Sequence, residues 1–242
     1  MNVCTRMIMI AIACIGVVST PVMTEAGRGG SQQGGTSDCQ QALIDRFDSL
    51  PVNQLDQEMI DAVTLLREEE KLARDVYLTF TAQYDLLIFS NIARSEQQHM
   101  DLVAMVLARY GLPDPAAGNG VGVFTDPWVQ DMFDDLTAIG QASLADALLV
   151  GALIEDVDIY HLQHMLDHHP SYDDVNLIVQ NMIAGSRNHM RGFVGALEKR
   201  GETYEPQYID SDLLDLILST PMETAVVYDE NGDVLAECGR RR

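Results

Sequence analysis

Four long stretches of the chain carry apolar residues at three- and four-residue spacing, the period of a helix that buries one face. The first, Asp56 to Ala82, places Val63, Leu66, Ala73, Tyr77 and Phe80 on that face, and Glu70 falls among them. The second, Ser90 to Tyr110, repeats the pattern with Ile92, Val103, Val106 and Tyr110, and here Glu96 and His99 occupy in-face positions. Ser143, with Asp146 three residues on, forms a variant of the capping box and opens a third helix running to His168. Its apolar face is Leu144, Leu148, Ala152, Ile159, Leu162 and Leu166, with Glu155 among them. Pro170 stops this helix, and Ser171 with Asp174 is expected to open the fourth. Its inner positions are Ile178, Met182, Ser186, His189, Phe193 and Leu197, and Gly201 closes it.

The joints between these stretches set the topology. Gly111-Leu112-Pro113-Asp114-Pro115 ends the second helix by removing amide donors and restricting backbone angles. The connection that follows, Gly111 to Ala142, exceeds the usual bundle loop of about 2–8 residues, so it suits two helix pairs joined across a bundle. Inside it, Asp126 is placed to cap a short helix with Pro127 at its first position. Beyond Tyr204 a short helix is expected near Asp212 to Leu218, followed by AVVYDENGDVLAEC, which alternates weakly around Asn231-Gly232 in the manner of a hairpin. An isolated hairpin is marginal in water, so it is expected to lean on the helices or to be pinned by Cys238. The predicted fold class is all-α: a four-helix bundle with a long crossover between helices 2 and 3, plus a small C-terminal β-hairpin extension.

The ends of the chain change the picture from a bare bundle to an exported one. Arg6 precedes an apolar run from Met7 to Val18, and Thr24-Glu25-Ala26 offers a cleavage site, the layout of a secretory signal peptide over residues 1–26. Ala11-Ile12-Ala13-Cys14 vaguely resembles a lipobox, which makes a lipid anchor the second reading. No stretch approaches the about 20 apolar residues of a membrane span, so none is expected in the mature chain. Residues 27–54 are read as a flexible linker on the strength of GRGGSQQGGTS (Gly27 to Ser37), residues 55–203 as the bundle and 204–242 as the extension. Cys39 and Cys238 remain after leader removal, either as a disulfide joining the two ends or as two thiols in the tails.

Charge narrows the class of partner. The 242 residues carry a formal net charge of −22, which repels nucleic acid and anionic lipid and concentrates cations. Cleavage leaves it unchanged, because Arg6 and Glu25 cancel. The four helices each place an acid or a histidine where the pattern calls for an apolar residue. Glu96 and His99, three apart, can offer a carboxylate and an imidazole to one metal centre. Burying several carboxylates without cations costs about several kcal/mol apiece, and a metal removes that objection. Carboxylates with two imidazoles suit iron, with manganese the alternative, and this many acids suit two ions sharing a bridging carboxylate.

At these residues the chain resembles the ferritin-like di-iron carboxylate superfamily, and rubrerythrins in particular: Glu, then Glu-x-x-His, then a long crossover, then Glu, then His. More closely, EEEKLARDVY, SEQQHM, the GALIEDVD helix and GSRNHMRGF resemble an uncharacterised ferritin-like family known as domain of unknown function 2202, across Leu55 to Ser219. The resemblance implies Glu70 as the first-helix ligand, since Glu70, Ala73 and Tyr77 are similar to the Glu-x-x-Ala-x-x-x-Tyr arrangement of rubrerythrins. Glu69 competes, because Leu65, Leu72 and Val76 turn it inward if the helix is rotated. By the same resemblance Glu96 bridges, His99 binds one metal, Glu155 serves the second helix pair, Asp158 is the extra carboxylate and His189 binds the second metal. Where the superfamily has Glu-x-x-His in the fourth helix, this chain has Ser186-Arg187-Asn188-His189. Either Asp158 reaches the vacated position, or the second site is weak or empty.

The activity implied is that of an exported iron protein reacting with oxygen or peroxide, as a homodimer or a larger assembly. No Cys-x-x-Cys pair is present, so reducing equivalents come from an external donor. The reading from another class is a non-catalytic, metal-sequestering or partner-binding bundle of the cell envelope. Three further groups stay open at this point. His161, His164, His168 and His169 with Met165 form a patch that is either a copper or zinc site or a solvated helix end. Tyr77, Tyr110 and Tyr160 are either redox-active or core residues with a polar tip. Arg187 and Arg191 are expected to pair with buried acids near the metals.

Overall fold

The structure, a computed structural model, describes residues 36–238, and the expected leader lies outside them. Among the described residues the fold is mostly helical, with seven helices and one two-stranded antiparallel sheet. Helix α1 (Thr36–Ser49) precedes the four long helices α2 (Gln57–Tyr84), α3 (Leu87–Arg109), α5 (Leu144–His168) and α6 (Asp173–Glu198). Helix α4 (Pro127–Gly140) lies in the crossover, and α7 (Ser211–Ser219), β1 (Val226–Tyr228) and β2 (Val234–Glu237) complete the chain. Helix α2 packs on α3 and α5, and α6 packs on the same two from the other side, so the four long helices enclose one interior. Helix α4 covers α2 and α5.

Helix starts follow the capping rules in most places. Asp56, Asp126, Ser143 and Asp210 each accept a hydrogen bond from an amide two or three residues on. The fourth long helix departs from expectation. Its N-cap is Tyr172 with no side-chain cap, and Ser171 with Asp174 forms no capping box. Asp174 is instead buried, with Oδ2 2.9 Å from Arg109 Nε, and both its oxygens accept from the Tyr110 hydroxyl. A buried cation and a phenol at the end of α3, with the adjacent Val175 amide, take Asp174 in place of a capping box, because an unpaired buried carboxylate costs more than an open helix end.

The linker assigned to residues 27–54 needs correction from residue 36 onward. Helix α1 occupies Thr36–Ser49, with Leu43, Phe47 and Leu50 buried in the core. The guanidinium of Arg109 sits 4.5 Å from the centre of the Phe47 ring and donates to the Leu50 carbonyl at 2.6 Å. The Gly/Ser/Gln composition stops at Ser37, whereas Leu43, Phe47 and Leu50 recur at helical spacing, and the apolar period governs.

The polar residues of α2 around Glu70 hold the crossover in place. Arg67 pairs with Asp114 through two contacts of 3.0 Å, and Glu68 accepts from the amides of Thr125 (2.6 Å) and Asp126 (2.8 Å). Lys71 is fully buried: it pairs with Asp75, donates to the Gly120 carbonyl at 2.7 Å and lies 4.3 Å above the Phe124 ring. Asp75 also accepts from the Gly122 amide at 2.9 Å. A connection this long stays ordered because its backbone amides find buried carboxylates on α2. Helix α4 is the helix expected there, capped by Asp126 with Pro127 at its first position, and it runs 14 residues.

The C-terminal extension is tied down at several points. Asp156, fully buried on α5, accepts from the Tyr204 hydroxyl (2.7 Å) and from the amides of Gln207 (2.6 Å) and Ile209 (2.8 Å). Asn181 on α6 bonds both the amide and the carbonyl of Tyr228, at 2.9 and 2.8 Å. Gly232 turns the hairpin at a φ of 84°, and Cys238 just beyond β2 is disulfide-bonded to Cys39 on α1, with 5.5 Å between their Cα atoms. Of the two readings left open for this cysteine pair, the structure takes the disulfide.

Two outcomes follow from these ties. Closing a loop of 199 residues removes chain entropy from the unfolded state worth about 2–5 kcal/mol, so Cys238→Ser is expected to lower the thermal midpoint, and reductant to lower the wild type but not the variant. Asp156→Ala strands several buried donors and is expected to cost about 3 kcal/mol in denaturant unfolding. Amide exchange at residues 207–209 should accelerate in that variant, and unchanged protection there would refute the assignment.

Candidate metal centre

The interior enclosed by the four long helices is apolar at one end and acidic in the middle. Tyr77, Phe80, Phe89 and Phe193 form an aromatic cluster, with Tyr77 and Phe193 centroids 5.1 Å apart and Phe80 and Phe89 centroids 5.4 Å apart. Gly151 makes room for Phe193, since a Cβ there would lie 2.4 Å from the ring. This cluster fixes the Tyr77 side chain, whose hydroxyl donates to Glu155 Oε1 at 2.5 Å. Tyr77 is thus a core residue with a polar tip, and its tip meets a candidate ligand.

Above the aromatic cluster, five of the in-face polar residues converge. Glu96 on α3 is the shared member: its Oε2 lies 2.9 Å from His99 Nδ1 and its Oε1 lies 2.7 Å from His189 Nδ1. Glu70 on α2 approaches His99 Nδ1 at 3.2 Å, and Glu155 on α5 approaches His189 Nδ1 at 3.3 Å. The result is two groups, Glu70–Glu96–His99 and Glu96–Glu155–His189, each with ligand atoms within 4.8 Å of one another and every member buried. The two imidazole rings lie 5.5 Å apart, centroid to centroid.

The choice between Glu69 and Glu70 resolves by position on α2. Glu70 is in the first group, while Glu69 Oε1 lies 3.1 Å from His161 Nδ1 at the edge of the site. Asp158 lies outside both groups. It accepts a hydrogen bond from Ser186 Oγ, so it reaches position 186 on α6. Ser186 also donates to the Met182 carbonyl at 3.0 Å. Arg187 and Arg191 turn away from the interior and both pair with Glu223 in the C-terminal extension, which corrects their expected pairing with acids near the metals. The residue that sequence reasoning missed is Gly185. A Cβ at that position would stand 2.4 Å from His99 Nε2, so the glycine lets the ring seat with Nδ1 toward the carboxylates.

Electrostatics follow from this crowding. Burial raises the Glu155 carboxyl to about 7, with Glu96 and Asp158 adding to the rise and His189 opposing it. Burial and Glu96 raise Asp158 to about 6. Burial and Asp158 also push Glu70 well above the carboxylate range. Burial would lift Glu96 too, but His189 and His99 on its two oxygens hold it far below that range. Burial lowers a histidine, yet Glu96 and Glu155 outweigh it and bring His189 to about 9, and Glu96 with Glu70 holds His99 well above its ordinary range.

Hydrogen bonding among these groups is incomplete. Glu70 Oε1, Glu96 Oε1 and His189 Nδ1 are buried and outside hydrogen-bonding geometry, although Glu96 Oε1 and His189 Nδ1 are only 2.7 Å apart. A buried polar atom left unpaired costs about 1–3 kcal/mol, so this set is poorly satisfied by protein contacts alone. Three carboxylates and two imidazole nitrogens converge here with the His99–Glu70 contact as their mutual hydrogen bond, which is a donor set for divalent first-row cations, and the residues fit two such ions with Glu96 common to both. A cavity of about 40 Å³ borders Glu70, Glu96, Glu155 and Asp158, walled by Leu72, Ala73, Met132, Leu136, Leu153 and Ile154. It has room for a few water-sized molecules.

Comparison with known proteins agrees in extent with the helical part. Residues 59–221 match the family model described as an uncharacterised protein domain, DUF2202. The chain is 41% identical over 181 residues to the uncharacterised protein MJ0754 of Methanocaldococcus jannaschii, covering 75% of this chain and 97% of the relative. It is similar in structure to the hypothetical protein MJ0754 from Methanococcus jannaschii seen by crystallography, with a TM-score of 0.70 and 43% identity over 72% of this chain and 99% of the other. The match spans the four long helices and every residue of the two convergent groups, and the chain belongs to the DUF2202 family.

Proposed function

We propose that this chain is an exported, ferritin-like four-helix metalloprotein that holds iron, as two ions, and reacts with oxygen or peroxide. The observation that carries the reading is the pair of buried carboxylate–histidine groups sharing Glu96. Glu70 and His99 would hold one ion, Glu155 and His189 the other, and Glu96 both. Bound iron supplies the one-electron chemistry that no side chain here provides. The chain's own contributions are positional. Tyr77 orients Glu155, Gly185 admits the His99 ring, and the apolar walls of the cavity keep bulk water from the acids while leaving room for a small oxidant. The Cys39–Cys238 disulfide supports the exported reading, since such bonds persist in oxidising compartments.

Anaerobic titration of the full chain with ferrous iron, followed by air, tests the proposal. Two irons per chain are expected, with ferrous iron lost rapidly to oxidation. Glu96→Ala should abolish uptake, and His189→Ala should leave one iron. Tight uptake without oxidation would instead favour a sequestering protein, and uptake indifferent to Glu96→Ala would sink the metal assignment.

Proton competition gives a second expectation. In the metal-free chain both histidines lie above the ordinary range, His189 at about 9, so each carries a proton at neutral pH, and Glu155 at about 7 is half protonated. A cation must displace these protons. Affinity should therefore rise from about pH 6 to pH 9, with protons released on binding at pH 7. Calorimetry in buffers of different ionisation enthalpy reads the release directly, and pH-independent binding would place the metal elsewhere.

A further inference from the structure

The histidine patch at the C-terminal end of α5 separates into two parts in the structure. His161 faces Glu69 at 3.1 Å beside the buried centre, and His169 is buried where its carbonyl accepts from Asn176 at 3.2 Å. His164 and His168 are different. They stand four residues apart on one helix face toward solvent, with rings stacked at 3.9 Å between centroids and 14° between planes.

Three features make this pair ready to bind a cation. His168 Nδ1 lies 3.0 Å from the His164 carbonyl oxygen. A carbonyl can only accept, so the proton is on Nδ1 and the His168 lone pair is on Nε2. Burial, His168 and the other nearby histidines hold His164 below the ordinary histidine range, with only Asp167 opposing them, so its ring is neutral near pH 7. Two imidazolium rings would also repel at this separation, whereas two neutral rings stack. Both side chains are near solvent and turn about broad terminal torsions, so a small rotation converts parallel rings into a converging pair.

We propose that His164 and His168 form a second metal site, a two-imidazole surface chelate for a borderline cation of the copper(II), nickel(II) or zinc(II) class. Histidines at this spacing on one helix face are a recurrent zinc-binding arrangement, and imidazole favours these ions over magnesium or calcium. With two protein ligands, the remaining positions belong to water, so the ion exchanges freely. The site shares no ligand with the buried centre and does not depend on the reading of that centre.

Copper(II) titration of the full chain, read by nitrogen hyperfine splitting in electron paramagnetic resonance and by competition with a chelating dye, is the test. The wild type is expected to bind copper with splitting from two nitrogens. His164→Asn or His168→Asn alone should weaken that binding by at least about tenfold, and the double variant should lose the signal while keeping its circular dichroism and its iron uptake. Copper binding unchanged in the double variant overturns the proposal. So does a copper signal that disappears with Glu96→Ala and survives loss of both surface histidines.

Discussion

Glu96 is the carboxylate on which the arrangement of the long helices turns. Its two oxygens face two imidazoles, one on its own helix α3 and one on α6. Through His99 it is joined to Glu70 on α2, and through His189 to Glu155 on α5. Every long helix thereby commits one polar residue to the same buried point. A shift of one residue in α6 would replace His189 by Asn188 or Met190, and one in α5 toward Ile154 would replace Glu155 by an apolar side chain. The register of the helices and the composition of the site are in this sense one constraint.

The rest of the molecule shows how this chain treats a buried acid that has only a structural task. Glu68 takes two crossover amides, Asp156 takes three amides and a tyrosine, and Asp174 takes an arginine, a tyrosine and the amide of Val175. Each is provided with donors from a distant part of the chain. Glu70 and Glu96 are as deeply buried, yet each keeps an oxygen without a hydrogen-bond donor. The contrast within one protein argues that the unsatisfied acids are arranged for something other than protein donors.

Much of this was legible in the sequence, and the reason is periodicity. Val63, Leu66, Ala73, Tyr77 and Phe80 define the inner face of α2 well enough to favour Glu70 while leaving Glu69 in competition, and the same reasoning places Glu96, His99, Glu155 and His189 inward. What periodicity missed depends on partners far along the chain. Glu68, Lys71 and Asp75 look like the solvated side of an amphipathic helix until the crossover, about 50 residues on, covers them. Arg187 and Arg191 look available to interior acids until Glu223 takes both. Asp174 sits where a cap belongs and serves a tertiary ion pair. Gly185 carries no side chain to attract notice, and its role appears only once His99 is seen against it.

Charge gives Ser186 and Asp158 a place in this scheme. Two divalent cations held as proposed would bring four positive charges, and Glu70, Glu96 and Glu155 would supply three negative ones. Asp158 supplies the fourth from just outside the two groups, held by the Ser186 hydroxyl. A carboxylate at position 186 would stand against Asp158 and repel it, whereas a hydroxyl donates to it. Serine at 186 and aspartate at 158 therefore form a matched pair, with the negative charge on α5 and its donor on α6. The cost is a direct ligand, because a carboxylate engaged by a hydroxyl and displaced from the convergent atoms acts through its field. Asp158 lines the cavity beside Glu70 and Glu155, so that field acts on whatever the cavity holds.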